Sequence, residues 1–192
     1  MGKALALVLV AAVPAGAVEL HIEFGALERM IAKQVFTEDG RKYVHGNAKT
    51  RCNFRYLEHP QIQGSDGLLR IRAKFTGRSA LNMLGQCVGV GNAFTVIITA
   101  RPQYRDGNVG LANVTVAGED RTGFYIRRVC AALSSSLARD FRYPLAAEAQ
   151  KALEDPDKQP DYRRELRHFR VPDIRITSDA LVLAVEFELT VR

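Results

Sequence analysis

The sequence predicts an α+β fold in which a strongly curved antiparallel sheet wraps around a long amphipathic helix, with a shorter N-terminal helix beside it. Several segments alternate apolar and polar residues, a pattern typical of strands with one solvated face. Two other segments repeat apolar residues every three or four positions, which indicates amphipathic helices. A sheet with one apolar face must be covered, and the helices are the economical cover.

The first seventeen residues predict a signal peptide. Lys3 precedes an apolar run over residues 4–13, and Ala15-Gly16-Ala17 matches a small-residue cleavage site. The run is shorter than the roughly 20 residues that a membrane-spanning helix needs. We therefore expect cleavage after residue 17, a single domain over residues 18–192, and a soluble periplasmic or secreted protein. The alternative is a buried N-terminal helix of a cytosolic protein.

The net charge and the cysteines indicate possible contacts with membranes and the expected disulfide. The formal net charge is +6, and loss of the one charge of Lys3 leaves +5. This basic excess either favours transient contact with anionic membrane surfaces or serves only solubility. In an oxidising compartment, Cys52 and Cys87 are the expected disulfide pair, and Cys130 falls on the apolar stripe of a helix as a buried free thiol. A nucleophilic Cys87 is the alternative, but no partner base is recognisable.

The elements follow one another in a definite order. A short alternating segment at residues 18–24 leads into an amphipathic helix over residues 24–35. A four-strand meander is expected at residues 48–56, 69–76, 94–101 and 109–116, with residues 85–91 as a flexible turn. In the first of these strands, Phe54 and Tyr56 are expected on the apolar face, opposite the basic residues.

A long helix is expected over residues 122–153, broken at Pro144 because proline removes a backbone donor. A loop at residues 155–160 then leads to a last, regularly alternating strand over residues 181–192.

Catalytic, metal and nucleic-acid sites are not expected. The four histidines lack paired metal-ligand spacing, and no serine lies in a Gly-x-Ser-x-Gly turn. No cofactor is implied. Phe54, Tyr56 and Phe75 are expected opposite the basic strand faces, so they form no base-stacking platform. A basic cluster precedes the last strand and comprises Arg163, Arg164, Arg167, His168 and Arg170. It either holds an anionic head group or is simply a solvated segment that leads to the last strand. The second interpretation is favoured here.

The order of elements over residues 24–192 resembles the tubular lipid-binding (TULIP) superfamily, which includes the bactericidal permeability-increasing and synaptotagmin-like mitochondrial lipid-binding domains. The resemblance is one of layout. It implies an exported protein, not an enzyme, that binds or transfers a lipid or other hydrophobic ligand in an apolar groove between helix and sheet. The groove would be lined by Leu27, Ile31, Leu69, Ile71, Phe75, Leu133, Leu137, Leu183, Val185 and Phe187.

Two alternatives stay open. The same apolar residues can close into a packed core, leaving a non-catalytic module of the cell envelope that binds another protein. An unrecognised hydrolase is the third hypothesis. The space between the long helix and the sheet distinguishes a groove from a closed core.

Overall fold

The computed structural model describes residues 17–154 and 163–192. The predicted signal peptide, apart from residue 17, and the predicted loop at residues 155–160 lie outside these ranges. The described elements are β1 (Val18–Glu23), α1 (Phe24–Gln34), β2 (Arg41–His45), β3 (Asn53–Ser65), β4 (Leu68–Met83), β5 (Gln86–Arg105), β6 (Asn108–Gly118), α2 (Phe124–Asp140), α3 (Leu145–Glu154), β7 (Arg164–Ile176) and β8 (Ala180–Val191). Of the helices in these ranges, none has both the length and the hydrophobicity to cross a membrane.

The strands form two antiparallel sheets. One is a five-strand meander in the order β2-β3-β4-β5-β6, and the other has the order β1-β8-β7. The α+β class and the antiparallel meander are therefore confirmed. Two strands, β2 and β7, were not predicted. The expected flexible turn at residues 85–91 is wrong, because Gln86 already pairs with Met83 and the strand continues through the glycines.

The long helix ends as predicted. A break at Pro144 separates α2 from α3. The apolar stripe of α2 is buried against the inner face of the five-strand sheet, where Phe75 and Phe94 pack with their ring centroids 5.0 Å apart. The buried stripe residues are Ile126, Cys130, Leu133 and Leu137. The helix thus covers part of the sheet, while complete wrapping of the helix by the sheet stays a prediction.

Helix α1 lies where the two sheets meet. Its residues Phe24 and Leu27 pack in one cluster with Leu69 of the large sheet and Leu183 of the small sheet. The approach is close at Gly64, since a Cβ there would lie 2.9 Å from Phe24 Cζ and from a methyl group of β7. A glycine in β3 is therefore required for the sheets to share this core.

The face assignment of β3 was wrong. Leu57 pairs with Phe75 and lies in the core, which places Tyr56 on the outer face and Arg55 on the inner face. Tyr56 is nevertheless buried, because the Arg41 guanidinium lies 4.7 Å from its ring centroid and Phe54 stacks beside it. This strand is covered on both sides, so simple alternation did not reveal its orientation.

Glu58 is buried among cations on the same outer face. One carboxylate oxygen lies 3.0 Å from Lys74 Nζ and the other 3.5 Å from Arg41 Nε. Burial raises the pKa of Glu58, but the hydrogen bond and charge of Lys74, with smaller effects of His59 and Arg41, outweigh it and hold that pKa below its ordinary value.

We expect Glu58→Gln to lower the free energy of unfolding at neutral pH by about 1–3 kcal/mol, because two cations lose their buried partner. A carboxyl whose pKa is lower in the folded state contributes stability above its unfolded pKa of about 4.3, and that contribution is lost as pH falls through the folded pKa. Thermal unfolding from pH 3 to 7 should therefore show a shallower acid limb for Glu58→Gln than for wild type. The control is the exposed Glu23→Gln, and parallel limbs for wild type and Glu58→Gln would contradict the assignment.

The predicted disulfide is confirmed. Cys52 and Cys87 are bonded, with Cα atoms 5.2 Å apart and a separation of 35 positions in sequence. The bond joins the segment before β3 to the start of β5. Cys130 is free and buried, also as predicted.

Replacing both bonded cysteines by serine should lower the free energy of unfolding by about 3–4 kcal/mol, because a loop of this length regains entropy in the unfolded chain. Urea unfolding of the oxidised wild type and of Cys52→Ser/Cys87→Ser measures the difference. A double variant as stable as wild type would show that the bond does not stabilise this fold.

Candidate functional site

An apolar cavity of about 130 Å³ lies between the two sheets. Ile31 of α1 and Leu137 of α2 line it, together with Ile71 and Ile98 of the large sheet and Leu181 of the small sheet. Each element presents an apolar face here because the strands alternate inward and outward and the helices turn their stripes inward. The cavity therefore lies where the apolar side chains of the helices and of the two sheets do not fully interlock.

The structure brings six of the ten predicted groove residues to this cavity and places four elsewhere. The six are Leu27, Ile31, Leu69, Ile71, Leu137 and Leu183. Phe75 and Leu133 lie in the packed core under α2, and Val185 lies in the second core beside α1. Phe187 is 45% exposed, because β8 extends there beyond its cover.

A more polar vestibule adjoins the cavity. Its volume is about 390 Å³, and it shares Gln34, Lys42 and Tyr143 with the apolar cavity. This border was not predicted from the sequence, because β2, which carries Lys42, was not predicted. The predicted helix break at Pro144 could have indicated the polar groups near Tyr143, because the end of a helix leaves backbone polar groups without helical partners.

The vestibule contains both charge signs. Asp140 is held by Arg139, with 2.8 Å between Arg139 Nε and a carboxylate oxygen, and this hydrogen bond lowers the pKa of Asp140. Lys42 and Lys151 line the vestibule and form no ion pair within residues 17–154 and 163–192. Two ammonium groups are thus available to an anion at the mouth of the apolar cavity.

Tyr143 lies at the boundary between the cavity and the vestibule. Burial raises the pKa of its hydroxyl, and the charge of Glu148 adds to this effect. The phenol therefore stays neutral at physiological pH, and it is a hydrogen-bond donor at the border between apolar and polar space.

The cavity volume limits what fits without rearrangement. Ligand pockets commonly span roughly 300–1,000 Å³, whereas an engineered apolar cavity of about 150 Å³ accommodates benzene. A long hydrocarbon chain therefore requires a wall to move. Helix α3 is the wall best able to do so, because none of its residues is buried.

Another cavity, of about 430 Å³, lies between β6 and α2 and is lined by Cys130 and Ser134. The Ser134 hydroxyl donates a 2.5 Å hydrogen bond to the Val114 carbonyl. Burial raises the pKa of the Cys130 thiol. Among the described residues that line this cavity there is no His, Asp or Glu. Neither side chain is activated as a nucleophile by this arrangement.

The basic cluster of the sequence lies on β7. Arg167 pairs with Glu165 at 2.8 Å, and Arg170 pairs with Glu186 at 2.6 Å. The carboxylates in these pairs neutralise arginine charge that an anionic head group would otherwise contact. In the part of the chain that the structure describes, no group of three His, Cys, Asp or Glu side chains is placed to hold a metal ion.

Alkylation requires the thiolate, so the raised pKa and burial of Cys130 should make it slow to react. At pH 7 we expect iodoacetamide to modify native protein roughly tenfold or more slowly than urea-unfolded protein, with one alkylated site by intact mass. Equal rates in the two states would show that the thiol is accessible and reactive.

Comparison with known proteins identifies no family. No family model and no curated protein matches the chain. Among solved structures, a lipopolysaccharide binding protein is similar at 13% identity with a TM-score of 0.26, over 89% of this chain and 40% of that chain. This chain thus spans about two fifths of that protein's length. A likeness of this size establishes neither a family nor a function.

Proposed function

We propose that this protein is exported and binds an amphiphile, a lipid or similar molecule with a hydrocarbon end and an anionic head. The observation that supports the proposal most directly is the apolar cavity that borders a vestibule with two ammonium groups, neither of which forms an ion pair with a described residue. The hydrocarbon end occupies the cavity, and the head lies near Lys42 and Lys151. Tyr143 donates a hydrogen bond at the boundary.

Binding alone supplies the driving force. Each buried methylene contributes about 0.8 kcal/mol, so an apolar cavity withdraws a hydrocarbon group from water or a membrane without catalysis. The cavity of about 130 Å³ admits a short alkyl group as it stands. A longer chain enters when α3 moves away from β7, which withdraws the half-buried Leu145 from the second core and breaks the 2.7 Å hydrogen bond from the Leu166 amide to the Glu154 carboxylate.

We also propose the superfamily to which this chain belongs. The order of a first helix, an antiparallel meander, a long helix with the short α3 after it, and two last strands supports membership of the tubular lipid-binding superfamily. So does the position of α1 and α2 against apolar sheet faces. Export is supported by the leader sequence and by the disulfide, which is typical of oxidising compartments.

The second candidate is an envelope module that binds another protein and has a closed core. The small cavity volume favours it, since about 130 Å³ lies below the usual range of ligand pockets. Four of the predicted groove residues also lie outside the cavity.

Filling the cavity tests the proposal. Ile71 faces the cavity, whereas Ile97 lies on the opposite face of the same sheet and pairs with Arg72. We expect Ile71→Phe to weaken decanoic acid binding roughly fourfold, because its added volume is about that of one methylene, which is worth about 0.8 kcal/mol. Ile97→Phe should bind like wild type, and isothermal titration calorimetry measures all three affinities.

Thermal unfolding identifies a folding defect. Ile71→Phe should unfold at or above the wild-type temperature, because it fills a void. If decanoic acid does not bind wild type and solvent extraction of protein from its own host yields no apolar ligand, the amphiphile proposal is wrong. Equal affinities for both phenylalanine variants would place any binding outside this cavity.

A further inference from the structure

The β4–β5 hairpin projects beyond its neighbours as a two-stranded ribbon, residues 80–90. The pairing of β3 with β4 ends at Ser79, and β6 pairs with β5 only from Val96 onward. Within the ribbon the pairs continue without interruption to Met83 and Gln86. A 2.8 Å hydrogen bond from the Ala80 amide to the Cys52 carbonyl holds its base, and the Cys52–Cys87 bond fixes β5 nearer the tip, opposite Asn82.

One face of the ribbon is apolar, and none of the described elements covers it. Its side chains continue the inner face of the large sheet, because Phe75 and Leu81 are an even number of residues apart on β4. Helix α2 covers Phe75 completely but does not reach the ribbon. Leu81, Met83, Val88 and Val90 are all more than half exposed. A contiguous exposed apolar patch of this kind marks an interaction site.

The turn at the tip strengthens this interpretation. Three other two-residue turns of the chain use Asp-Gly, at residues 39–40, 66–67 and 106–107, with positive φ at both positions. The ribbon has Leu84-Gly85 instead, with φ of 51° and 83°. A leucine is strained at positive φ, and this one is fully exposed. Neither folding nor solubility explains a leucine at this position.

Cations flank the same face. Arg55 Nη2 lies 3.4 Å from Ser79 Oγ, and Arg121 Nη1 lies 3.4 Å from Asn92 Oδ1. Arg128 lines a groove of about 390 Å³ together with Arg55 and Ser79. None of these three arginines forms an ion pair with a described carboxylate. The sequence from residue 67 to residue 105 contains no acidic residue.

We propose that this ribbon inserts into the surface of an anionic lipid bilayer. Leu84 and the apolar face enter the acyl boundary, and Arg55, Arg121 and Arg128 contact lipid phosphates. Five residues separate Ser79 from Leu84, roughly 16 Å of extended strand. That length exceeds the roughly 5–10 Å by which interfacial elements enter a bilayer. The charge pattern favours an anionic lipid surface over an uncharged apolar partner, because each basic residue near such a surface adds attraction.

Exchange of two turn residues tests this proposal. Leu84→Asp introduces the turn residue of the other three hairpins, so it should not harm folding. The double variant Leu84→Asp/Asp66→Leu keeps composition and net charge and moves the leucine to the opposite end of β4. Both should bind phosphatidylcholine vesicles containing phosphatidylglycerol at least tenfold more weakly than wild type in flotation. Leu84→Asn should also weaken binding, which separates lost apolar contact from added repulsion.

A second pair of variants tests the proposed contacts between arginines and lipid phosphates. Arg128→Gln should weaken binding to vesicles with phosphatidylglycerol about fivefold and leave binding to pure phosphatidylcholine unchanged. Arg101→Gln makes the same charge change on β5 at a distance from the ribbon, and it should have a smaller effect. Equal effects of the two variants would mean that net charge alone attracts the protein, and the proposed phosphate contacts would be wrong.

Fluorescence locates the inserted segment. The chain contains no tryptophan, so Met83→Trp provides a single reporter on the ribbon. Its emission should shift to the blue on addition of anionic vesicles, while Val191→Trp should not shift. A shift at position 191 alone would place the contact elsewhere.

Two further results would overturn the proposal. One is wild-type binding to neither vesicle, and the other is vesicle binding that Leu84→Asp leaves unchanged. If sedimentation shows wild-type dimers that Leu84→Asp dissociates, without vesicle binding, the ribbon joins two copies of this chain instead. Decanoic acid affinity should be the same in Leu84→Asp and wild type, so failure of this proposal is distinguishable from failure of the cavity proposal.

Discussion

The inner face of the five-strand sheet is largely apolar, and the elements that cover it differ along its length. Under α2, Phe75 is fully buried in a packed core. Between α1, α3 and the small sheet the cover leaves a small cavity. Beyond α2 the same face continues onto the ribbon, where no described element packs against it. The packed core, the cavity and the ribbon are thus three regions of one apolar surface, and they differ in which elements pack against it.

This arrangement explains why the candidate sites are separate in space although they share a sheet. A side chain two residues further along a strand stays on the same face, roughly 6–7 Å away. Six residues along β4 therefore lead from the buried Phe75 to the exposed Leu81. The protein needs no additional domain to combine an internal apolar site with an external apolar surface.

Sequence patterns predicted the parts of the fold whose periodicity is simple. The stripe from Ile126 to Leu137 and the alternation from Leu69 to Phe75 each have one buried face, so their orientations followed directly. Strand β3 was misread because Tyr56 on the outer face is buried beneath Arg41, and burial on both sides removes the alternation. The glycines at residues 85–91 suggested a turn, although the valines between them alternate as in a strand.

The site was predicted only in part for a related reason. Periodicity identifies which face of an element is apolar, and Leu69, Ile71 and Leu183 were found in this way. It does not show where two apolar faces interlock and where they stand apart, which depends on the packing of distant segments. Leu133 and Leu137 lie one turn apart on the same stripe, yet only Leu137 lines the cavity.

The disulfide has a consequence for the pairing of the strands. Cys52 precedes β3, Cys87 lies in β5, and β4 runs between those two strands. A slip of one residue in either hairpin would turn every side chain of the shifted strand to the other side of the sheet. Cys87 would then face away from Cys52, and the two sulfur atoms could not meet. Oxidation therefore locks the chain only after both hairpins have found their correct alignment, so the bond acts as a check on the assembly of the sheet.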